Sequence, residues 1–410
     1  MSNPNKGFSF KINGQCWMWG FNGVGGLGDN TLTDRSSPVQ VVGGHSFILL
    51  SASNGPSAGI KNTGLMWSWG FNVSGQVGDN TMTTRSSPVA VVGAHSFVLI
   101  STTINNAFGL KDNGSMWGWG ANASGQIGNS TATSYSSPVQ VVGSHSFTKF
   151  HVTATHSIAL KAEGTAWSWG LNNYGQLGHN NTTNRSSPVA VIGSHLFTQV
   201  AAGGNTNGLS IGLKVDGSAW TWGHNVNGNL GDGTVTSRSS PVAVVGAHSF
   251  VYISAGLTSD QVNGACGGLK GDGSLWLWGI NDYGQLGDGT RTTRSSPVAV
   301  VGAHSFIEFS MGNNFTSGIK ADGSVWSWGA NTQGRLGTNN ATSYSSPVQV
   351  VGAHSFLHMG SGTNRIPVCN STTWYRWPAY WVNISGSWKR VLNIYQVQSG
   401  SWKVNSSLNT

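Results

Sequence analysis

Gly268-Leu-Lys-Gly-Asp-Gly-Ser-Leu-Trp-Leu-Trp-Gly-Ile-Asn-Asp-Tyr-Gly-Gln-Leu-Gly287 is one of seven near-copies of the same stretch, and the Trp-x-Trp-Gly inside it decides the fold. First tryptophans of that element stand at Trp17, Trp67, Trp117, Trp167, Trp220, Trp276 and Trp326, so the intervals are 50, 50, 50, 53, 56 and 50 residues. A repeat of that length belongs to a solenoid or a propeller. Residues at i and i+2 of a strand share a face. The residue between the tryptophans is small in most copies (Ser68, Gly118, Ser168, Thr221, Ser327). One face is therefore bulky and the other slim, as stacked sheets need.

Working outward from the tryptophans of the third repeat, each unit reads as four strands. Phe97 to Thr102 is an apolar run, Phe108 to Lys111 a second, and Asp112-Asn-Gly114 is a tight-turn signal leading to Met116 to Trp119. A long loop from Ala121 through Ser137 precedes Pro138 to Gly143, where the proline suits the first residue of an outer strand. Four short antiparallel strands per unit make a propeller blade. The prediction is an all-β protein: a seven-bladed β-propeller over residues 1–362, with a small β-rich module over 363–410. The chain starts inside a blade. Residues 8–11 match a second strand and 356–361 supply the missing first strand, so pairing of the N- and C-terminal strands is expected to close the ring.

The same residues carry a resemblance. Gly-Leu-Lys-x-Asp-Gly-x-x-Trp-x-Trp-Gly-x-Asn-x-x-Gly-Gln-Leu-Gly resembles the repeat of the regulator of chromosome condensation family, whose fold is a seven-bladed propeller, and the match recurs from residue 8 to about 362. One departure is that the family's Gly-x-x-His before the second strand survives only at His156. After Gly362 the repeat stops. Ile384-Ser-Gly-Ser-Trp-Lys389 is echoed by Val397-Gln-Ser-Gly-Ser-Trp-Lys403, and this segment resembles the short Gly-x-Trp-Lys repeats at the ends of many bacteriophage tail and appendage proteins. Two hairpins are expected there.

Charged residues make up 8% of the chain, and the formal charge of +8 comes from 21 basic and 13 acidic residues scattered over the repeats. Scattered charge argues against a nucleic-acid stripe. Cys16, Cys266 and Cys369 form no metal-ligand spacing, and no run of eighteen apolar residues predicts a membrane span. The N-terminal residues hold no apolar signal segment. The expected site of synthesis is a host cytoplasm, without membrane insertion.

Repeat-dictated residues read as structural. Gly-x-His elements at His45, His95, His145, His195, His248, His304 and His354 are spaced around a circle and read as connectors that hydrogen-bond backbone. Five repeats carry Arg before Ser-Ser-Pro (Arg35, Arg85, Arg185, Arg238, Arg294) and two carry Tyr (Tyr135, Tyr344). These read as a solvated loop. No catalytic group, metal site or cofactor is expected, because no nucleophile-base arrangement stands apart from the repeat.

Function is sought where near-identical copies disagree. The loop between first and second strands differs in every repeat and takes both insertions. Diversity on a rigid scaffold is how binding surfaces are built. Candidate binding residues are Asn54, Asn105, Asn106, His156, Asn205, Asn207, Thr258, Asp260, Asn263, Asn313, Asn314 and Phe315; candidate attachment residues are Trp374, Trp377, Trp381, Trp388 and Trp402. These features predict a non-enzymatic bacteriophage virion protein that contacts other virion proteins or a host-surface glycan or protein, and no nucleic acid. The alternative is a propeller-type inhibitor or binding module, and then a small-GTPase exchange factor.

Overall fold

The computed structural model describes residues 6–10, 15–53, 55–204, 206–256, 264–312, 314–332 and 334–351, and beyond them only the strands His358–Met359, Val368–Cys369, Tyr380–Ile384, Ser387–Val391, Ile394–Gln398 and Ser401–Asn405. Six four-stranded antiparallel sheets and one three-stranded sheet follow one another along the chain as seven blades. Among the described residues there is no helix. In the third blade the strands are Leu99–Thr102, Asn106–Leu110, Met116–Gly120 and Tyr135–Gln140, hydrogen-bonded in that order from the centre outward.

The proline of the outer strand is not at its start. Tyr135 pairs with Gly120, Val139 with Gly118 and Gln140 with Trp117, so residues 136–138 bulge out of register. Pro138 lies on an edge strand, where its missing N–H breaks no ladder bond. The bulge has a use: the carbonyl of Ser136 accepts from Asn80 N of the preceding blade at 2.8 Å.

In six blades the second tryptophan of the pair packs between neighbouring blades. Trp69, Trp119, Trp169, Trp222, Trp278 and Trp328 are fully buried. The Trp119 indole N–H donates to Gln76 O of the preceding blade at 3.0 Å, and Trp69, Trp169, Trp278 and Trp328 make the equivalent bond at 2.9–3.0 Å. Trp222 is the exception: its N–H has no partner, and the equivalent carbonyl, Gln176 O, accepts from Ser210 Oγ at 2.9 Å. The last glycine of Gly-Gln-Leu-Gly makes the approach possible. At Gly128, φ is +82° and a Cβ would stand 2.5 Å from Trp169 Nε1, which only glycine avoids.

The long loop is rigid for a local reason. Its asparagine is fully buried in all seven blades. In the sixth, Asn281 Oδ1 accepts from Leu286 N at 2.9 Å, while its Nδ2 donates to Asp288 Oδ1, Thr290 O and Thr292 O at 3.1–3.2 Å. Inner strands, whose edges line the centre, are capped by side chains from the blade before. Thr102 N donates to Ser51 Oγ at 2.9 Å, Ala202 N to His151 Nδ1 at 3.2 Å, and Gln199 bonds both N and O of Ile253. Such capping satisfies backbone groups that would otherwise stay open.

Ring closure differs from the expected pairing of 356–361 with 8–11. Lys6–Phe10 pairs with Cys16–Gly20, but His358–Met359 pairs antiparallel with Val368–Cys369, which lies beside Lys6–Phe10. Other residues of the expected pairing (11, 356, 357, 360 and 361) lie outside the described residues. The chain doubles back on itself here, so a strand beyond residue 362 takes the pairing expected of the N-terminus. Further on, Tyr380–Ile384 pairs with Ser387–Val391 and Ile394–Gln398 with Ser401–Asn405, the two hairpins read from the sequence.

Asn281→Ala removes four hydrogen bonds of a fully buried side chain at once, and a loss of about 2–4 kcal/mol in unfolding free energy is expected. Asp282→Ala, one residue away and exposed, should change it by less than about 0.5 kcal/mol. Urea unfolding followed by tryptophan fluorescence measures both.

Candidate functional site

Strands alternate in direction, so the loop between first and second strands and the long loop between third and fourth open on one face of the ring. Contacts between these loops confirm it. Ala121 N donates to Asn105 O at 2.8 Å, Leu171 N to Thr155 O at 2.9 Å, and Gln76 and Gln126 each reach the variable loop of the next blade, donating to Ile104 O and Ala154 O at 3.2 Å. The variable loops therefore rest on conserved-in-copy amides.

The structure sorts the candidate loop residues. Asn105, Asn207 and Asn314 are half-buried at the loops. Asn106, His156 and Phe315 are buried and do not present a surface. Asn106 bonds Thr103 Oγ1 and donates to Ala121 O at 2.8 Å, which holds the loop from beneath. The imidazole of His156 lies between Thr153 Oγ1 (2.9 Å) and Ser210 Oγ of the next blade (3.3 Å). Asn54, Asn205, Thr258, Asp260, Asn263 and Asn313 lie outside the described residues, as do Trp374 and Trp377. Trp381, Trp388 and Trp402 fall in the C-terminal hairpin strands.

Sequence reasoning missed a set of exposed residues on this face. They are the two positions between Asn and Gly in the long loop, where Val73, Tyr174, Val226 and Tyr283 are exposed. Tyr174 packs edge-on against His224 of the neighbouring blade, ring centres 4.4 Å apart. The signal was present: this dipeptide differs in all seven repeats inside an otherwise uniform motif.

The opposite face carries the Asp-Gly hairpins and the Gly-x-His connectors. The connector histidines pack against indoles, which corrects the expectation of backbone hydrogen bonding. His45, His95, His145, His195, His248 and His304 lie 4.2–4.4 Å from the ring centres of Trp67, Trp117, Trp167, Trp220, Trp276 and Trp326. Nζ of Lys61, Lys111, Lys161, Lys214, Lys270 and Lys320 lies over the same rings at 4.2–4.6 Å. Burial first, and the lysine charge second, lower the pKa of each of these histidines. The glycine is required by the turn: at Gly143 φ is +97° and a Cβ would meet His145 Nε2 at 2.5 Å.

The loop arginines are likewise absorbed. Arg35, Arg85, Arg238 and Arg294 pair with Asp29, Asp79, Asp232 and Asp288 at 2.6–3.1 Å. Burial alone would raise the pKa of Asp288, but hydrogen bonds from Thr290 and Arg294 outweigh it and hold the carboxyl below its usual range. Where the aspartate becomes Asn129 or Thr338, the arginine becomes Tyr135 or Tyr344. His179 takes the aspartate's place opposite Arg185, and its Nε2 lies 3.0 Å from Ser168 Oγ and 3.2 Å from Val189 O. Among the described residues, no group of three His, Cys, Asp or Glu could hold a metal ion.

The sequence profile of the regulator of chromosome condensation (RCC1) repeat matches residues 113–160, 163–208, 216–259, 272–319 and 322–364, more than half of the chain. The human E3 ubiquitin-protein ligase HERC2 is 31% identical over 96 residues, 23% of this chain and 2% of the ligase. The RCC2 homolog of Xenopus laevis is 31% identical over 96 residues, 22% of this chain and 17% of that protein. The chain thus aligns with only a small part of each of these relatives. Human WBSCR16 superposes with a TM-score of 0.71 at 18% identity, over 86% of this chain and 99% of that one. Prp20p of Saccharomyces cerevisiae, a structure described together with its binding to Gsp1p and histones, gives 0.70 at 17% identity, over 87% and 91%.

Buried histidines give this ring a pH dependence of defined sign. Burial pushes His156 down to about 3 and His179 to about 4, against 6.5 for a free imidazole. Unfolded chains therefore bind protons that the folded ring refuses. Stability is complete above about pH 6.5 and falls as pH drops toward 4, by up to about 1.4 kcal/mol per pH unit for each such histidine. Unfolding free energies between pH 7 and 4.5 should show this slope, and His156→Gln should make it shallower.

Proposed function

This chain belongs to the RCC1 repeat family, and from that premise we propose that it is a non-enzymatic binding module whose variable-loop face holds a protein partner. The supporting observation is where the copies differ. Blade-to-blade contacts are repeated nearly verbatim, whereas exposed differences gather on the loops from first to second strand and on the tips bearing Tyr174 and Tyr283. Exposed tyrosines on a rigid base are common anchors of protein interfaces. Ionisable groups that could serve chemistry are engaged structurally instead, aspartates with arginines and histidines with indoles. A solved propeller of the same fold is described with protein partners, but at that identity no particular partner carries over.

Affinity capture with the immobilised protein, followed by titration of the purified partner, tests this reading. Tyr174→Ala with Tyr283→Ala should weaken binding tenfold or more, about 1.4 kcal/mol or above. Binding unchanged both by these substitutions and by replacing 256–265 with the shorter loop of another blade would overturn it. Accelerated nucleotide release from a small GTPase would establish the exchange-factor reading instead.

A second reading is favoured by one observation, the tandem hairpins with Ser-Gly turns and Trp-Lys endings at 384–389 and 397–403. In it, the hairpins beyond Ala379 are a separate attachment module of a bacteriophage virion protein, made in the host cytoplasm, a boundary later than the expected 363 because Val368–Cys369 pairs with His358–Met359, and the loop face meets virion proteins or a host-surface glycan or protein. A chain truncated after Ala379 and expressed during infection should then fold but be absent from purified particles. Full incorporation would contradict the reading.

A further inference from the structure

The face opposite the variable loops has features of its own. Most of the exposed large apolar side chains lie on it, although it is not the face on which the loops diverge. Ile48, Val98, Val251 and Ile307 occupy one position in four blades, where the chain enters the inner strand, and are 47–65% exposed. Leu196 stands beside this rim at 57%, and Val215 projects from its hairpin turn at 89%. Apolar groups gathered on one face commonly mark an interface.

Charge on the same face has a definite pattern. Each lysine held over an indole is followed within two residues by an acid in five blades: Asp112, Glu163, Asp216, Asp272 and Asp322. Those acids are mostly fixed as well. Asp216 and Asp272 accept from the N and Oγ of Ser218 and Ser274 at 2.6–2.9 Å, Asp322 from Ser324 N at 2.8 Å, and Glu163 from Thr165 Oγ1 at 2.8 Å. The result is a nearly neutral ring of alternating, immobilised cations and anions around an apolar rim. Such a ring is largely its own complement: a two-fold axis in the plane of the face can set cations of one copy opposite anions of the other in the blades that carry both. Two-fold contacts of this self-complementary kind are the commonest in homo-oligomers, and prior immobilisation lowers the entropy lost on contact.

We propose that the hairpin face is a self-association surface, through which two copies of this chain pack face to face around the rim of Ile48, Val98, Val251 and Ile307. The variable loops then point outward on both sides of the dimer. This goes beyond the binding proposed for the loop face and does not depend on it.

Sedimentation velocity of the full chain tests it. At about 100 µM, two orders of magnitude above the ~1 µM Kd of a modest interface, the protein should sediment as a dimer. Val251→Asp with Ile307→Asp, and separately the hairpin-turn variant Val215→Glu, should give monomers at the same concentration. Val215 is nearly free of contacts, so Val215→Glu keeps the test valid should the double variant misfold, and a wild-type melting temperature confirms each fold. A wild-type monomer at that concentration overturns the proposal. So does a dimer that survives both folded variants, or one that Tyr174→Ala with Tyr283→Ala dissociates.

Discussion

One contact, made by Trp69, Trp119, Trp169, Trp278 and Trp328, holds this molecule in register: the indole N–H of the second tryptophan of a pair reaching the loop carbonyl of the blade before it. It joins the two most repeated parts of the sequence, Trp-x-Trp-Gly and Gly-Gln-Leu-Gly, and it crosses between blades. Burying such a side chain without satisfying its N–H would forfeit part of the gain, since an unpaired buried donor costs about 1–3 kcal/mol. The loop that offers the carbonyl is in turn shaped by its buried asparagine. Glycine is dictated where the indole approaches. At Trp222 the bond is absent, whereas Trp278, in the blade with the longer insertion, keeps it at 2.9 Å.

From this lock follows a division of labour. The repeat elements carry the fold and use up the ionisable groups that a catalytic reading would need. Exposed differences between copies gather on surfaces the lock leaves free, namely the variable loops, the long-loop tips and the rim on the opposite face, while buried positions such as Cys16, Met66, Ala166 and Leu275 vary only in apolar volume. The Asp–Arg pairs show the rule from the other side. Where a copy loses the acid and gains Asn129 or Thr338, it loses the arginine too, as expected when a partly buried charge needs its partner; the fourth repeat departs from this, keeping Arg185 opposite His179.

Fold class, blade number, strand count per blade and the C-terminal hairpins were legible in the sequence, because a fifty-residue period and paired tryptophans admit few architectures. The rest was hidden for specific reasons. Pro138 was placed one bulge too early, since a bulge is a relation between two strands and one strand's sequence does not display it. His156 looked like loop diversity, yet its ring bridges two blades, a contact separated by 54 residues. The packing of His145 against Trp167 and the pairing of Arg85 with Asp79 likewise join residues whose proximity only the folded loops create. Tyr174 and Tyr283 were readable and overlooked, masked by the constancy of the motif around them.

Native-state hydrogen exchange tests the central claim most directly, because it reads each loop separately. If the indole lock and the buried asparagine carry the structure, the amides of Val77, Ile127, Leu230 and Leu286, all bonded to those asparagines, should exchange only through global opening and at similar rates in every blade. The amide of Asn105, at the tip of a variable loop, should exchange far faster. Asparagine-bonded amides that exchange as fast as the variable loops, or at rates differing widely between blades, would contradict it.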